Sequence, residues 1–192
     1  LETLTATGSI IANTLTVTQG TFSTGAGLSH TINQSISVAG TFTLESGGVL
    51  IVGSTGNIGS ITVNASKTFN IKEDTILKMH GPPASTPSIT INGTLNVYYT
   101  TIKAKIQSYD TVSGPFYSFT IGNTGTLYIE GLIFDSSNTA GMVINATAVI
   151  LDIDEVNFQA LQAGNVQALY INRTTGTYGF SACSFDSTCT IN

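Results

Sequence analysis

Residues 60–104 read SITVNASKTFNIKEDTILKMHGPPASTP and then, from Ser88, SITINGTLNVYYTTIKA. The second line restarts the first. Each pass offers three short runs suited to strands: Ile61 to Val63, Phe69 to Ile71 and Leu77 to Met79, then Ile89 to Ile91, Leu95 to Val97 and Ile102. Apolar and polar residues alternate within the runs, which gives each strand one buried and one wet face. A single unit has nothing opposite its apolar face except the next unit, so such units bury their cores only by stacking.

Working outward from this stretch, the first strand of the unit (strand A) can be followed through seven passes. Its inward pairs are Leu15/Val17, Ile36/Val38, Ile61/Val63, Ile89/Ile91, Phe119/Ile121, Met142/Ile144 and Leu169/Ile171. From Val17 onward the steps are 21, 25, 28, 30, 23 and 27 residues. Strand B follows through Phe22, Phe42, Phe69, Leu95, Leu127, Leu151 and Tyr178, in steps of 20, 27, 26, 32, 24 and 27. Strand C reads Leu77, Ile102, Phe134, Phe158 and Phe185, and the variable length falls mainly after it, in His80–Pro87, Lys105–Gly114 and Asp135–Gly141.

These columns predict an all-β chain with almost no helix: a parallel β-solenoid of about seven coils, 20–32 residues each, three strands per coil. Residues 1–192 form one domain on this reading, with an N-terminal edge at 1–14, coils over 15–187 and the start of a further coil at 188–192. An antiparallel sandwich would suit the same Thr, Val and Gly content, but it has no reason to repeat three columns in step. The strand-C segments LIFDSS, VNFQA and CSFDS, with the strand-A segments that end in Asn, resemble the right-handed parallel β-helix (pectate-lyase-like) superfamily. The low charge and Thr/Gly richness resemble bacterial surface, adhesin-type solenoids within it.

Composition narrows the partners. Of 192 residues only 9% are charged, 41% are hydrophobic, and the net charge is −5. The acidic balance excludes nucleic acid as an expected partner, and no apolar run is long enough for a spanning helix. The hydrophobic share is enough to offset the entropy of ordering.

Strand A ends in Asn64, Asn92, Asn145 and Asn172, a turn position that suits asparagine because it tolerates left-handed backbone and bonds neighbouring peptides. Similar asparagine stacks mark turns in the resembled superfamily. All four, and Asn33, are also N-x-Ser/Thr sequons, which read either as glycosylation sites or as the product of a Ser/Thr-rich composition. Outward on strand A stand Thr16, Ser37, Thr62, Thr90 and Thr120, broken by Val143 and Tyr170. Before strand B stand Thr21, Thr41, Thr68, Thr94, Thr126 and Thr177, interrupted by Ala148. Such files resemble ice-binding surfaces, and Thr is also simply a good strand residue.

Stacking should bring Glu130 and Asp154 one rung apart in a file begun by Lys72 and Tyr98, beside a file of Asn70, Asn96, Tyr128 and Asp152. Close carboxylates either raise a pKa or attract a cation such as calcium, and the spacing suits a retaining carboxylate pair. Tyr98 and Tyr128 could stack on a sugar ring. The bland reading is a solvated acidic face. Sugar-cleaving members of the resembled superfamily cluster Asp with a basic residue, and Arg173 is the one Arg in the chain. His30 and His80 fall in loop-like segments without a ligand partner at metal spacing. No catalytic residue, cofactor or metal ligand set is assigned. Cys183 and Cys189 are spaced to bridge the short SFDST loop, or else fill inward columns as thiols.

Three function classes follow. The first is an extracellular or cell-surface structural or adhesive rod. The second is a carbohydrate-processing enzyme on the Glu130/Asp154 face, against which the scarcity of Arg, His and Lys weighs. The third is a passive binder of carbohydrate or ice. Neither end carries a recognisable cap, so the rod is expected either to meet a second copy head to tail and grow as a fibre, or to continue into neighbouring coils of a longer chain.

Overall fold

Alternation was enough to set the register of most of the rod. The structure, a computed structural model, describes residues 2–110, 116–159, 167–172, 180–185 and 190–191, and among them there is no helix. Every strand pairing is parallel. The chain is a parallel β-solenoid.

Strand-B segments form one eight-stranded sheet that starts at Thr3–Thr5 and runs through Thr21–Ser23, Thr41–Leu44, Thr68–Ile71, Thr94–Val97, Thr126–Glu130 and Val149–Asp154 to Phe180–Ser181. Strands A and C belong to a second sheet, joined through Ser29–Val38. The first four residues of that ten-residue strand pair with Val49–Val52 as strand C, and its last four pair with Ser60–Val63 as strand A. Ile11–Val17 turns the same corner one coil earlier. About five turns are regular, between Ser35 and Gln159, rather than seven. The outer passes carry short or exposed strands, such as Thr3–Thr5, Phe180–Ser181 and Ser184–Phe185, that bury too little to extend the regular rod.

The core consists of columns along the axis. Phe22, Phe42 and Phe69 stack with ring centroids 5.8 and 5.1 Å apart, and Phe134, Phe158 and Phe185 continue strand C at 5.6 and 4.9 Å. Each large side chain so buried contributes roughly 1.5–3 kcal/mol. Gly93 lies in the tight turn from strand A to strand B, where a Cβ would come within 2.2 Å of the Lys67 carbonyl oxygen of the coil below. The rungs close up there because no side chain intervenes.

Several columns differ from the expectation. Ile102 is 53% exposed and Ile106 takes its place between Leu77 and Phe134. The Lys105–Gly114 segment is therefore partly strand, Ala104–Ser108, and six residues, Tyr98 to Lys103, also stand between strands B and C of that coil. Leu151 is 63% exposed, because a register shift sets Ile150 opposite Leu127 and Asp152 opposite Tyr128. The same shift leaves Val149 opposite Thr126, while Ala148 is buried. Asp135–Gly141 is no loop: after one left-handed residue, Ser136, the strand Ser137–Ile144 begins.

His30 is likewise not in a loop. It sits in the strand-C column opposite Leu50, 3% exposed. Its Nδ1 accepts the Ile10 N–H at 3.1 Å, so the ring is the Nε2–H tautomer and donates to the Thr24 carbonyl at 2.7 Å. A polar ring is tolerated in the core because both nitrogens are satisfied.

Candidate functional site

The outward surface of the strand-B sheet gathers the predicted polar residues. One file runs Thr43, Asn70, Asn96, Tyr128, Asp152 in register. Its amides bond along the axis: Asn96 Nδ2 donates to Asn70 Oδ1 at 3.0 Å, and Asn70 Nδ2 to Thr43 Oγ1 at 3.3 Å. A side-chain ladder of this kind was expected at the turns. There, Asn64, Asn92, Asn145 and Asn172 do occupy one rung position, each N–H donating to the carbonyl of the strand-A residue one coil below. None of the four has a positive φ, however; Ser66 supplies the left-handed residue in the turn after Asn64. Gly122 interrupts the stack, and the Asn92 side chain covers it.

Glu130 stands opposite Asp154, as its file predicts. The pair does not face each other unattended. Asp154 Oδ1 accepts the Ser181 hydroxyl at 2.5 Å, and Glu130 accepts the Tyr128 phenol. That hydrogen bond, together with burial and the charges of Glu130 and Asp152, pushes the phenol pKa up to about 12. The Tyr98 and Tyr128 rings lie 5.9 Å apart at 44°, tilted rather than stacked. Lys72, further along, is paired with Glu45 at 2.9 Å. Arg173, Thr177 and Tyr178 lie outside the described residues.

Beyond Tyr98 the chain folds into a corner that the spacing gave no sign of. Glu73 accepts the backbone N–H groups of Thr100 and Thr101, at 3.2 and 3.0 Å, and the Thr100 hydroxyl. These donors hold its carboxyl below the usual range. Tyr99 lies over Gly131, where a Cβ would come within 2.2 Å of the ring. Its phenol bonds Glu155, whose charge pushes its pKa up, and Lys103 joins the group at 3.4 Å from Glu155 and 5.9 Å from the Tyr99 ring centre. A shallow concavity of about 180 Å³ lies at this corner, lined by Ser46, Lys72, Glu73, Tyr98, Tyr99 and Thr100. A larger one, about 520 Å³, is the mouth of the N-terminal coil around Leu4, Val17 and Phe22; Thr16 and Thr21 of the predicted Thr files line it, and none of the predicted carboxylates or tyrosines does.

Elsewhere, His80 stacks on Tyr109 at 4.2 Å and accepts the Gly81 N–H. Among the described residues no three His, Cys, Asp or Glu side chains converge as a metal site requires. The Cys183 thiol is half-buried, which pushes its pKa up, and it approaches the Ile153 carbonyl at 3.7 Å; Cys189, the other half of the expected bridge, lies outside the described residues.

The outward surface of strand A is different in kind. Thr14, Ser35, Ser60, Ser88 and Ser118 form one file in register, and Thr16, Ser37, Thr62, Thr90 and Thr120 the next. The file predicted from Thr16 is thus doubled by a Ser-rich one, whose signal in the sequence is the recurring SIS, SIT, SIT and SFT.

No family model, curated protein or solved structure matches this chain.

Proposed function

We propose that the chain is a structural, adhesive rod of an extracellular or cell-surface protein. The observation that carries this reading is the separation of duties in the coil. Apolar columns run through the described coils, and the outward files change chemistry along the rod without disturbing them. A frame of this kind serves to hold surfaces at a fixed spacing. Its finer character resembles the right-handed pectate-lyase-like superfamily and its adhesin-type solenoids. Thr3–Thr5 is an exposed edge strand, with Leu4 67% exposed beside it, and such an edge suits a further rung from the same chain or from a second copy. Electron microscopy and light scattering of the purified chain, with an adhesion assay on immobilised cells and polysaccharides, test the proposal. Rods that adhere without releasing product are expected. Release of sugar product would replace the structural reading with an enzymatic one, and a chain monomeric at high concentration would remove the head-to-tail contact.

A second reading, carbohydrate held on the strand-B surface, is favoured by the two tyrosines 5.9 Å apart beside Glu130 and Asp154. Replacing both Tyr98 and Tyr128 with Ala should then abolish retention on polysaccharide. Glu130→Gln or Asp154→Asn should remove any calcium-dependent gain in melting temperature. Retention and calcium response both unchanged would leave that surface a solvated acidic face.

A further inference from the structure

From Thr14 to Thr120 the strand-A surface holds ten outward positions on five successive rungs, and all ten are Ser or Thr. Rungs recur about every 4.8 Å and the two files lie about 6.6 Å apart, so the array covers roughly 19 Å by 7 Å. Of its hydroxyls, only that of Ser118 bonds another group among the described residues, the Pro87 carbonyl at 3.4 Å. The other nine are left to whatever lies above them.

The chemistry of the array selects its occupant. A hydroxyl both donates and accepts, so a lattice of hydroxyls suits a partner whose every group also does both. None of the ten positions carries a charge, which removes the attraction an ion would need. None carries an aromatic ring or an amide, so the platform on which sugar rings are held is missing from these rungs. What remains is water itself. The sheet fixes the spacing of all ten side chains, and at the five Thr positions the branched side chain restricts its own rotation, so less order remains to be imposed on binding. We propose that the strand-A surface from Thr14 to Thr120 is a binding face for ordered water, adsorbing to a growing ice crystal.

The file itself supplies the variants. Val143 and Tyr170 already occupy later rungs of the Thr16 file, so Thr90→Tyr and Thr62→Val place residues the strand accommodates. The purified chain is frozen slowly and the fraction carried into polycrystalline ice is measured, with melting temperature as the check on folding. The native chain should be enriched in ice severalfold over a protein of equal size. Thr90→Tyr should abolish the enrichment by lifting the surface off the crystal, and Thr62→Val should weaken it. Asn96→Lys, on the strand-B surface, should leave it unchanged. Exclusion of the native chain from ice would overturn the proposal, as would equal loss in Asn96→Lys. Retention on crystalline polysaccharide, lost in Thr90→Tyr, would assign the array to a sugar surface and overturn it too. Should Thr90→Tyr fail to fold, undiminished enrichment of the folded Thr62→Val variant would count against the proposal.

Discussion

The strand-A and strand-B surfaces are built on the same coil and the same rung spacing, yet their polar side chains behave oppositely. On strand B, Asn96 reaches Asn70, Asn70 reaches Thr43, Tyr128 reaches Glu130, and Ser181 reaches Asp154. On strand A, nine of the ten hydroxyls from Thr14 to Thr120 bond no other group among the described residues. Side-chain length explains the contrast. Rungs are about 4.8 Å apart, a gap that an amide or carboxylate on one rung can bridge and two short hydroxyls facing one another cannot. One surface stabilises the rod along its axis; the other leaves its hydrogen bonds to the surroundings.

The severest way to break the comparison is to remove the core on which both surfaces depend. Phe158 is 1% exposed between Phe134 and Phe185, so Phe158→Asp buries an unpaired charge. It should cost about 4 kcal/mol or more and unfold both surfaces together. A variant with unchanged thermal unfolding would remove the column assignment. The contrast itself is sharpened by a matched pair. Asn96→Ala cuts the ladder and should cost about 1 kcal/mol in denaturant unfolding, whereas Thr90→Val removes a hydroxyl that bonds nothing and should stay within about 0.5 kcal/mol. Equal costs would erase the distinction.

Smaller effects follow from titration. The Tyr128 phenol has a pKa of about 12, raised chiefly by its bond to Glu130. A raised folded-state value means that its contribution is complete below the ordinary tyrosine pKa and is lost as pH rises through about 12. Ultraviolet titration of Glu130→Gln should show this phenol ionising earlier; an unmoved curve would break the Tyr128–Glu130 link. The least effect is expected at Glu73, whose carboxyl is held low by Thr100 and Thr101. Its contribution is complete above the ordinary carboxylate value and is lost as pH falls through the lowered one. Protection of the Thr100 and Thr101 amides from hydrogen exchange, taken relative to the intrinsic rate at each pH, should fall in Glu73→Gln and, in the native chain, at acid pH. Protection unaffected by both would dissolve the clamp.

Strands A and B were readable because strict alternation permits only one register once a face is buried. Strand C was less so. The stretch from Leu95 to Ser108 holds two apolar candidates, Ile102 and Ile106, at compatible spacing, and alternation alone does not choose between them. The register shift after Leu127 was unreadable for a different reason: VILDID alternates cleanly only with Val149, Leu151 and Ile153 inward, and it takes the extra residue of a bulge to set Ile150 opposite Leu127 while Ile153 stays opposite Ile129. His30 was missed because a histidine in a core column declares itself only through its two partners, Ile10 and Thr24, which lie 20 and six residues away. The pairing of Glu130 with Asp154 followed directly from the repeat. The hydrogen bonds that occupy them did not, since Ser181 arrives from a later coil.

The corners of the coil differ in how much chain they admit, and that difference bears on how such a rod could be remade. Between strands A and B the backbone closes so tightly at Gly93 that not even a methyl group fits. Between strands C and A the path is continuous strand at Ser29–Val38, yet the same corner two coils later carries the eight residues from His80 to Pro87 outside any strand. A foreign peptide grafted into that later corner would be displayed at the side of the rod, leaving the stacked columns beneath it intact. The same peptide placed at Gly93 would wedge two neighbouring coils apart.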